Sequence, residues 1–414
     1  MVPPLTGTRV LDLSRVLAGP WATQTLADMG ADVVKIERPG SGDETRSYAP
    51  FVESGNGTRP RSTYFLAANR GKRSIAIDLT TEQGQELVRE LADKSDILVE
   101  NYKVGSLAAL GLDYKTLSAR NPGLIYCSIT GFGQTGPHRE RLAYDLVVQA
   151  MGGIMSLTGE RHGEPMKSGI AMVDITTALY ATTAILGALY ERERSKIGQH
   201  IDLALLDVQI ATLANQASSY LMTDRVPERY GNAHVSIVPY GAFSTSDGRM
   251  IVAVANDSQF ERFVAALGLP EIAADCRFQT NEARVRNRQQ LLPMIEERLR
   301  ARSTREWVAD LDREHIPAGP INTLDAVFDD PQIAARDLVL EFESGVGNPV
   351  RVVGNPIKFS RTPISQSVAP PSLGADTDQL LSELLGKSPD TIRSLHEAEI
   401  VEQGTHVVKS ASDS

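Results

Sequence analysis

The sequence predicts an α/β fold: a large Rossmann-like, doubly wound domain completed by the C-terminal segment, plus a small α+β domain. Three observations carry that expectation. Short apolar runs recur through the first 130 residues, each followed by a helical pattern, as in parallel sheets buried on both faces. A polar, turn-rich stretch, TDRVPERYGNAH (Thr223 to His234), then precedes a second set of strands and charged helices. From IPAGPI (Ile316 to Ile321) onward the chain has loop and short-strand character, with turns at Pro356, Pro363 and Pro370-Pro371.

Taken in order, RVLDLS (Arg9 to Ser14) reads as the first strand, followed by a turn at Ala18-Gly19-Pro20 and a helix to Met29. DVVKIE (Asp32 to Glu37) and SIAIDL (Ser74 to Leu79) are the next strands. Thr80 with Gln83 three residues later has the spacing of a helix capping box. DILVEN (Asp96 to Asn101) and LIYCSI (Leu124 to Ile129) complete the series. From Ile175 a helical pattern is apolar nearly all round, which requires burial by its own domain or by a partner. GQHIDLAL (Gly198 to Leu205) is a strand feeding a helix to about Leu221. RMIVAVA (Arg249 to Ala255) opens the second unit, with helices over Ser258 to Leu267 and Asn281 to Arg300. A third helix there is capped by Ser303 and Glu306 and stops before Pro317. The expected domain limits are 1–222, 223–322 and 323–414.

Bulk chemistry excludes several functions. A chain of 414 residues is long enough for two domains, and 42% hydrophobic with 23% charged residues is ordinary globular composition. A net charge of −10 argues against nucleic acid and anionic membrane surfaces. The start MVPPLTG lacks a basic leader, and the apolar stretch Leu179 to Tyr190 is shorter than the ~20 residues of a membrane span. A cytoplasmic protein is expected. Cys127 and Cys276 make no disulfide framework, and none of the seven histidines has metal-ligand spacing. The chain has no GxSxG elbow, Walker loop or HExxH. The first strand is followed by SRVLAGPWA rather than GxGxxG, which disfavours a nicotinamide or flavin enzyme.

Parallel sheets bind ligands at the carboxyl ends of their strands. That directs attention to Arg15-Val16-Leu17-Ala18, to Arg38, to the residues after Ile77, and to Asn101-Tyr102-Lys103. The basic residues Arg38, Lys72, Arg73 and Lys103 could bind an anion or simply be solvated loop charges. The segment Gly131 to Gly153 is rich in glycine and carries Arg139, Arg141, Tyr144 and Asp145, a composition suited to close approach of an anionic ligand. Asp174, in GIAMVDITTALYATTAILG, heads the apolar helix. Its residue type and place favour a plain helix N-cap, and they are compatible with a poorly hydrated carboxylate held ionised by the helix start and used as a nucleophile.

Together these segments resemble the class III coenzyme A transferases, the CaiB/BaiF type. The matching stretches are VLDLSRVLAGPWATQTLADMGADVVKIERPGSGDETR, NRGKRSIAIDL, VENYKVGSLAALGL, YCSITGFGQTGP, AYDLVVQAMGG, SGIAMVDITTALYA, IPAGPINTLDAVFDDPQ and PPSLGADTDQLLSELLG. They run in family order from residue 5 to about 385. The resemblance implies two interlaced chains, a homodimer, with Asp174 as catalytic nucleophile and coenzyme A as cosubstrate rather than as a permanently bound cofactor. It implies attack by Asp174 on an acyl-CoA, a mixed anhydride, an aspartyl-CoA thioester and transfer to an acceptor acid, with neither ATP nor metal. It carries coenzyme A contacts onto Val16, Leu17, Ala18, Arg38, Ile77, Leu79, Asn101, Tyr102 and Lys103, and places Tyr144 and Asp145 beside the reacting thioester. Two basic contacts of the oxalate branch are replaced here by Ala109 and Leu142, and Lys103 and Arg141 are the expected substitutes.

GNAHVSIVPYGAF (Gly231 to Phe243) and GPINTL are more similar to the succinyl-CoA:glutarate type, so dicarboxylates are the expected substrates, with Arg46 and His234 as candidates for the acceptor's distal carboxylate. The rival on the same fold is an α-methylacyl-CoA racemase. Those enzymes use a His where this chain has Tyr144, and a phenol with pKa ~10 is a poor base for an α-proton at neutral pH.

Overall fold

The computed structural model describes residues 2–52, 60–343 and 349–404. They form two compact units: residues 1–154, 167–222 and 335–414 in the first, and 155–166 with 223–334 in the second. The division at 222/223 falls where it was expected, whereas the expected limit at 322 lies at 334. The second unit extends to Ala334 and takes in the excursion Met155–Met166, whose membership depends on tertiary pairing such as Gly231 N to Gly159 O, 3.1 Å.

The first unit is built on six parallel strands: β1 (Arg9–Asp12), β2 (Asp32–Glu37), β3 (Lys72–Ile77), β4 (Ile97–Glu100), β5 (Ile125–Thr130) and β6 (His200–Ala204). Their order is β3-β2-β1-β4-β5-β6, and the short strand Val401–Glu402 adds antiparallel to the free edge of β3. This is the dinucleotide-fold order, in which the chain winds outward in both directions from a switch point between β1 and β4.

The helices follow the strands: α1 (Ala18–Asp28), α2 (Thr63–Ala68), α3 (Glu82–Asp93), α4 (Tyr114–Arg120), α5 (Asp145–Met151), α6 (Met172–Ser195), α7 (Leu205–Thr212) and α8 (Ala214–Thr223). Alternate strand residues face opposite layers. Leu11, Val34, Ile36, Ile75, Ile77 and Leu98 pack against α3 and α4 and against Leu380, Leu381 and Leu395 of the C-terminal segment. Val10, Val33, Ile97, Val99, Ile125 and Cys127 pack against Ala22 and Leu26 of α1 and Ala178, Ala181 and Ile185 of α6.

The second unit has a three-stranded antiparallel sheet, β7 (Tyr240–Ser244), β8 (Arg249–Ala253) and β9 (Ala318–Pro320), in the order β9-β8-β7. Phe260, Phe263, Ile295, Trp307 and Leu311 fill its core. Arg284 is wholly buried there and is satisfied by the carbonyls of Val238 (2.7 Å) and Phe278 (2.9 Å) and by Asp257 (2.7 Å). The capping box read at Ser303 and Glu306 is present on both sides.

Three local expectations are corrected. The cap of α3 is Thr81, whose hydroxyl accepts from Gly84 N at 3.0 Å, while Thr80 turns its hydroxyl back to Asp78. The helix expected over Asn281 to Arg300 is two helices, Asn281–Arg286 and Arg288–Leu299, because Asn287 leaves helical geometry and bonds the carbonyls of Ala283 and Arg277. The apolar run around Leu179 lies in a 24-residue helix, since threonines and the charged end also stay helical. By length and composition α6 could cross a membrane. One face of it, Val173, Ala178, Ala181, Ile185 and Ala188, is nonetheless core packed on the sheet and α1.

The C-terminal segment is tied back by a buried ion pair. Arg70 donates twice to Asp28, at 2.9 and 2.6 Å, and once to the carbonyl of Val353, and Asn355 donates to the same Asp28 carboxylate at 3.0 Å. Removing one partner of such a pair strands the other charge, at a cost of roughly 3–5 kcal/mol. Asp28→Ala is expected to lower unfolding stability by about that amount in denaturant titration; a loss under about 1 kcal/mol would mean that Arg70 finds solvent instead.

Candidate active site

Two sites can be built from the first unit upward, a switch-point crevice and an acidic centre. At the switch point the loops after β1 and β4 are clasped together: Asn101 Oδ1 accepts from Arg15 N at 2.8 Å, and Asn101 Nδ2 donates to Arg15 O at 2.7 Å. The Arg15 guanidinium lies 4.7 Å over the Tyr102 ring and pairs with Glu44. Val16 follows with φ +70°, and Leu17 leads into α1, which no side chain caps. The β1 loop and α1 approach so closely that a Cβ on Gly19 would sit 2.2 Å from Ser14 Cβ. Only glycine fits there. An uncapped helix start at a switch point is the arrangement that receives anionic groups on this fold.

Arg38, just past β2, is exposed and pairs with no side chain among the described residues, and Lys103 is likewise exposed and free. Both keep their charge available. The other basic candidates do not. Lys72 lies at the amino end of β3, wholly buried, where it donates to Asp12 (2.9 Å), Asn69 Oδ1 (2.8 Å) and the Pro20 carbonyl. Arg73 pairs with Asp32 and Glu383. Lys72 is thus not a solvated charge, and Arg73, partly exposed, is engaged by two carboxylates. Arg46, expected near the acceptor acid, is engaged by buried Glu37 through two 2.7 Å bonds and packs 3.6 Å over the Phe65 ring. Burial raises the Glu37 pKa, but Arg46 and the other donors outweigh it and the group stays low, so the Arg46 guanidinium is held by Glu37 rather than left free as the sequence reading expected. Ile77 is core, and Leu79 packs against the same core; any ligand contact at Ile77 is through backbone.

The acidic centre forms at the start of α6. Its N-cap position is Ala171, which has no acceptor, and Asp174 is the third residue of the first turn rather than the cap expected from the sequence. The missing acceptor comes from α5: Asp145 Oδ1 accepts from Val173 N at 2.7 Å and Asp174 N at 3.1 Å. Buried Gln149, one turn along α5, donates to the other Asp145 oxygen and accepts from Ser168 N at 2.8 Å. The Asp174 carboxylate itself has no hydrogen bond or ion pair among the described residues. Burial first, and then the Asp145 charge, raise its pKa from 3.8 to about 7. That corrects the expectation that the helix start holds Asp174 ionised, because Asp145 takes the amides and adds a like charge. The carboxylate that results is poorly solvated, a stronger nucleophile once deprotonated.

Tyr64 of α2 belongs to this centre too: burial raises its pKa, with further contributions from Asp174 and Asp145. Its ring meets Tyr48 edge to face at 5.7 Å. Tyr64 and Gln149 were not singled out in the sequence; the i, i+4 spacing of Asp145 and Gln149 was the available signal.

Tyr144 precedes α5 and is exposed, as is Leu142. Arg141 lies 5.3 Å over Phe132 with its tip near Met151 Sδ. Ala109 sits on an exposed turn, Ala108–Leu110. His234 belongs to the second unit, where it packs 5.2 Å from Tyr240 and accepts from Ser236 N. Among the described residues no group of three or more His, Cys, Asp or Glu could hold a metal.

The profile of CoA-transferase family III matches residues 5–377. The chain is 49% identical to a succinate–glutarate CoA-transferase of Agrobacterium fabrum, over 92% of this chain and 96% of that one. It is 41% identical to a succinyl-CoA:glutarate CoA-transferase of Homo sapiens, over 97% and 91%. A crystal structure of a CAIB/BAIF family protein from Brucella suis superposes with a TM-score of 0.84 at 47% identity, covering 93% of this chain and all of that one.

Because Asp174 binds its proton more tightly in the folded chain than in the unfolded one, folding is weakened as pH rises from 3.8 to about 7. Asp174→Asn is therefore expected to melt higher than the unsubstituted protein at pH 8, by a margin that shrinks toward pH 5. A margin that grows toward pH 5 would contradict the raised pKa.

Proposed function

The chain belongs to CoA-transferase family III and is a CoA-transferase, and from that premise we propose that it moves coenzyme A from succinyl-CoA to a dicarboxylate such as glutarate through covalent intermediates on Asp174. The observation that carries the reading is the state of that carboxylate: half-buried, unpaired, raised to about 7 and set at a helix start already capped by Asp145.

The steps conserve thioester energy. A deprotonated Asp174 oxygen attacks the acyl carbonyl, the C–S bond breaks, and CoA leaves as thiolate with a mixed anhydride on the enzyme. The thiolate attacks the aspartyl carbonyl of that anhydride and releases the donor acid, leaving an aspartyl-CoA thioester. The acceptor carboxylate attacks this thioester to give a second anhydride and free thiolate. Attack of that thiolate on the acceptor's acyl carbonyl yields the new acyl-CoA and returns Asp174. Every intermediate is open to hydrolysis, so water must be excluded.

In this proposal Arg38 and Lys103, exposed and unpaired, neutralise the coenzyme's phosphates. Val16, Leu17 and Ala18 with Asn101 and Tyr102 line its path at the switch point, Ile77 and Leu79 border it, and Arg141, Tyr144 and Asp145 flank the thioester. Exposed Leu179, Tyr180 and Tyr190 on α6 and Leu221 and Met222 on α8 support assembly as a homodimer, since large apolar side chains left exposed on the same helix are commonly covered by a partner. A cytoplasmic setting is part of the same proposal.

Incubation with succinyl-CoA and a panel of dicarboxylates, with thioesters followed by mass, is expected to give glutaryl-CoA. The rate is expected to rise with pH through about 7 as Asp174 loses its proton. Asp174→Ala is expected to lose at least ~10³-fold in turnover. No exchange with any acid, together with loss of α-deuterium from a branched acyl-CoA, would favour the racemase chemistry instead.

A further inference from the structure

The loop between β1 and α1 holds an unexplained strain. Val16 is β-branched and stands at φ +70°, a left-handed conformation that is strained for such a residue and persists only where the surroundings impose it. Here they do. Ser14 N donates to Asp12 at 3.0 Å, and Ser14 O accepts from Lys35 Nζ at 2.7 Å. Both polar backbone groups of Arg15 are held by Asn101. Val16 N points between the two oxygens of Asp43, 3.3 Å from each.

Lys35 and Asp43 are themselves an ion pair, 3.0 Å apart, with both side chains at 0% exposure. Asp43 is fixed further by Thr45 N (2.9 Å) and Thr45 Oγ1 (2.7 Å). Burial opposes the charge on each partner, yet the mutual attraction holds Lys35 above and Asp43 below their ordinary ranges. A buried ion pair is a poor source of stability, because apolar residues of similar volume commonly do as well. What this pair does that an apolar pair could not is grip two backbone groups, the Ser14 carbonyl and the Val16 amide, on either side of Arg15.

We propose that Lys35 and Asp43 are positioning residues for the acyl-CoA substrate: the pair imposes the left-handed turn at Val16 and so aims the β1–α1 loop and the uncapped start of α1 at the coenzyme. The proposal rests on the CoA-transferase reading and deepens it. Neither residue touches substrate. They act through the backbone, so their loss raises KM for the CoA ester more than it lowers kcat.

The test uses the full-length protein with succinyl-CoA and glutarate. Asp43→Asn keeps shape and one acceptor oxygen. The double variant Lys35→Met with Asp43→Asn removes both charges together, leaving no uncompensated ion. In either folded variant KM for succinyl-CoA is expected to rise about tenfold or more, with kcat within about threefold and KM for glutarate unchanged. Adding Val16→Gly removes the backbone strain, so the ratio of KM with and without the pair is expected to shrink in that background. A purely structural role would not produce that shrinkage. Unchanged KM for succinyl-CoA in a folded variant overturns the proposal, as does a fall in kcat at unchanged KM. An unsubstituted protein that neither binds CoA nor exchanges thioesters overturns the functional reading, and this proposal with it.

Discussion

In a sheet of order β3-β2-β1-β4-β5-β6, β1 and β4 are neighbours whose outgoing chains turn to opposite faces. Between them no crossover covers the carboxyl edge, and a crevice is left that side chains must line. The Asn101 clasp on Arg15 follows from that neighbourhood, because it joins two loops 86 residues apart at the one place where they run side by side. The uncapped start of α1, the free Arg38 past β2 and the free Lys103 past β4 all lie along the same edge. α6 packs on the sheet and on α1.

The charges of the first unit divide into two kinds. One kind is consumed in holding shape: Asp12 with Lys72, Glu37 with Arg46 and Asp28 with Arg70. Each has its partner, which is the condition for leaving a charge out of water. The other kind is left without compensation. Among the described residues Asp174 receives no donor, and it faces the like charge of Asp145. An acid in that state is destabilised in its ionised form, and acylation of the oxygen, as proposed, would remove the charge that burial opposes. Asp145, by contrast, is satisfied by two amides of α6 and by Gln149, so the two neighbouring carboxylates differ in what holds them.

The strands were legible because a parallel sheet buried on both faces demands near-continuous apolar runs, and DVVKIE and LIYCSI are such runs. The capping box at Ser303 was legible because it is local. What failed is what depends on distant partners. Lys72 read as a surface base, but its partner Asp12 is 60 residues away. Asp174 read as a cap or an ionised acid, but the true cap is Asp145, 29 residues earlier in the chain. Arg46 lost its free charge to Glu37 in the same way. Thr80 and Thr81 show the opposite limit: two adjacent residues are equally good caps on paper, and only the Asp78 turn decides between them. His234 falls in the second unit, where its contacts are Tyr240 and Ser236.

The central claim is that Asp174 carries coenzyme A covalently, as an aspartyl-CoA thioester formed through a mixed anhydride. It is tested most directly by quenching the enzyme during turnover with succinyl-CoA and mapping adducts on the peptide that contains Asp174. The account predicts a CoA adduct on Asp174 that free glutarate discharges and that hydroxylamine converts to a hydroxamate at the same residue. An adduct on another side chain, or turnover with no adduct on Asp174 under any quench, would contradict it.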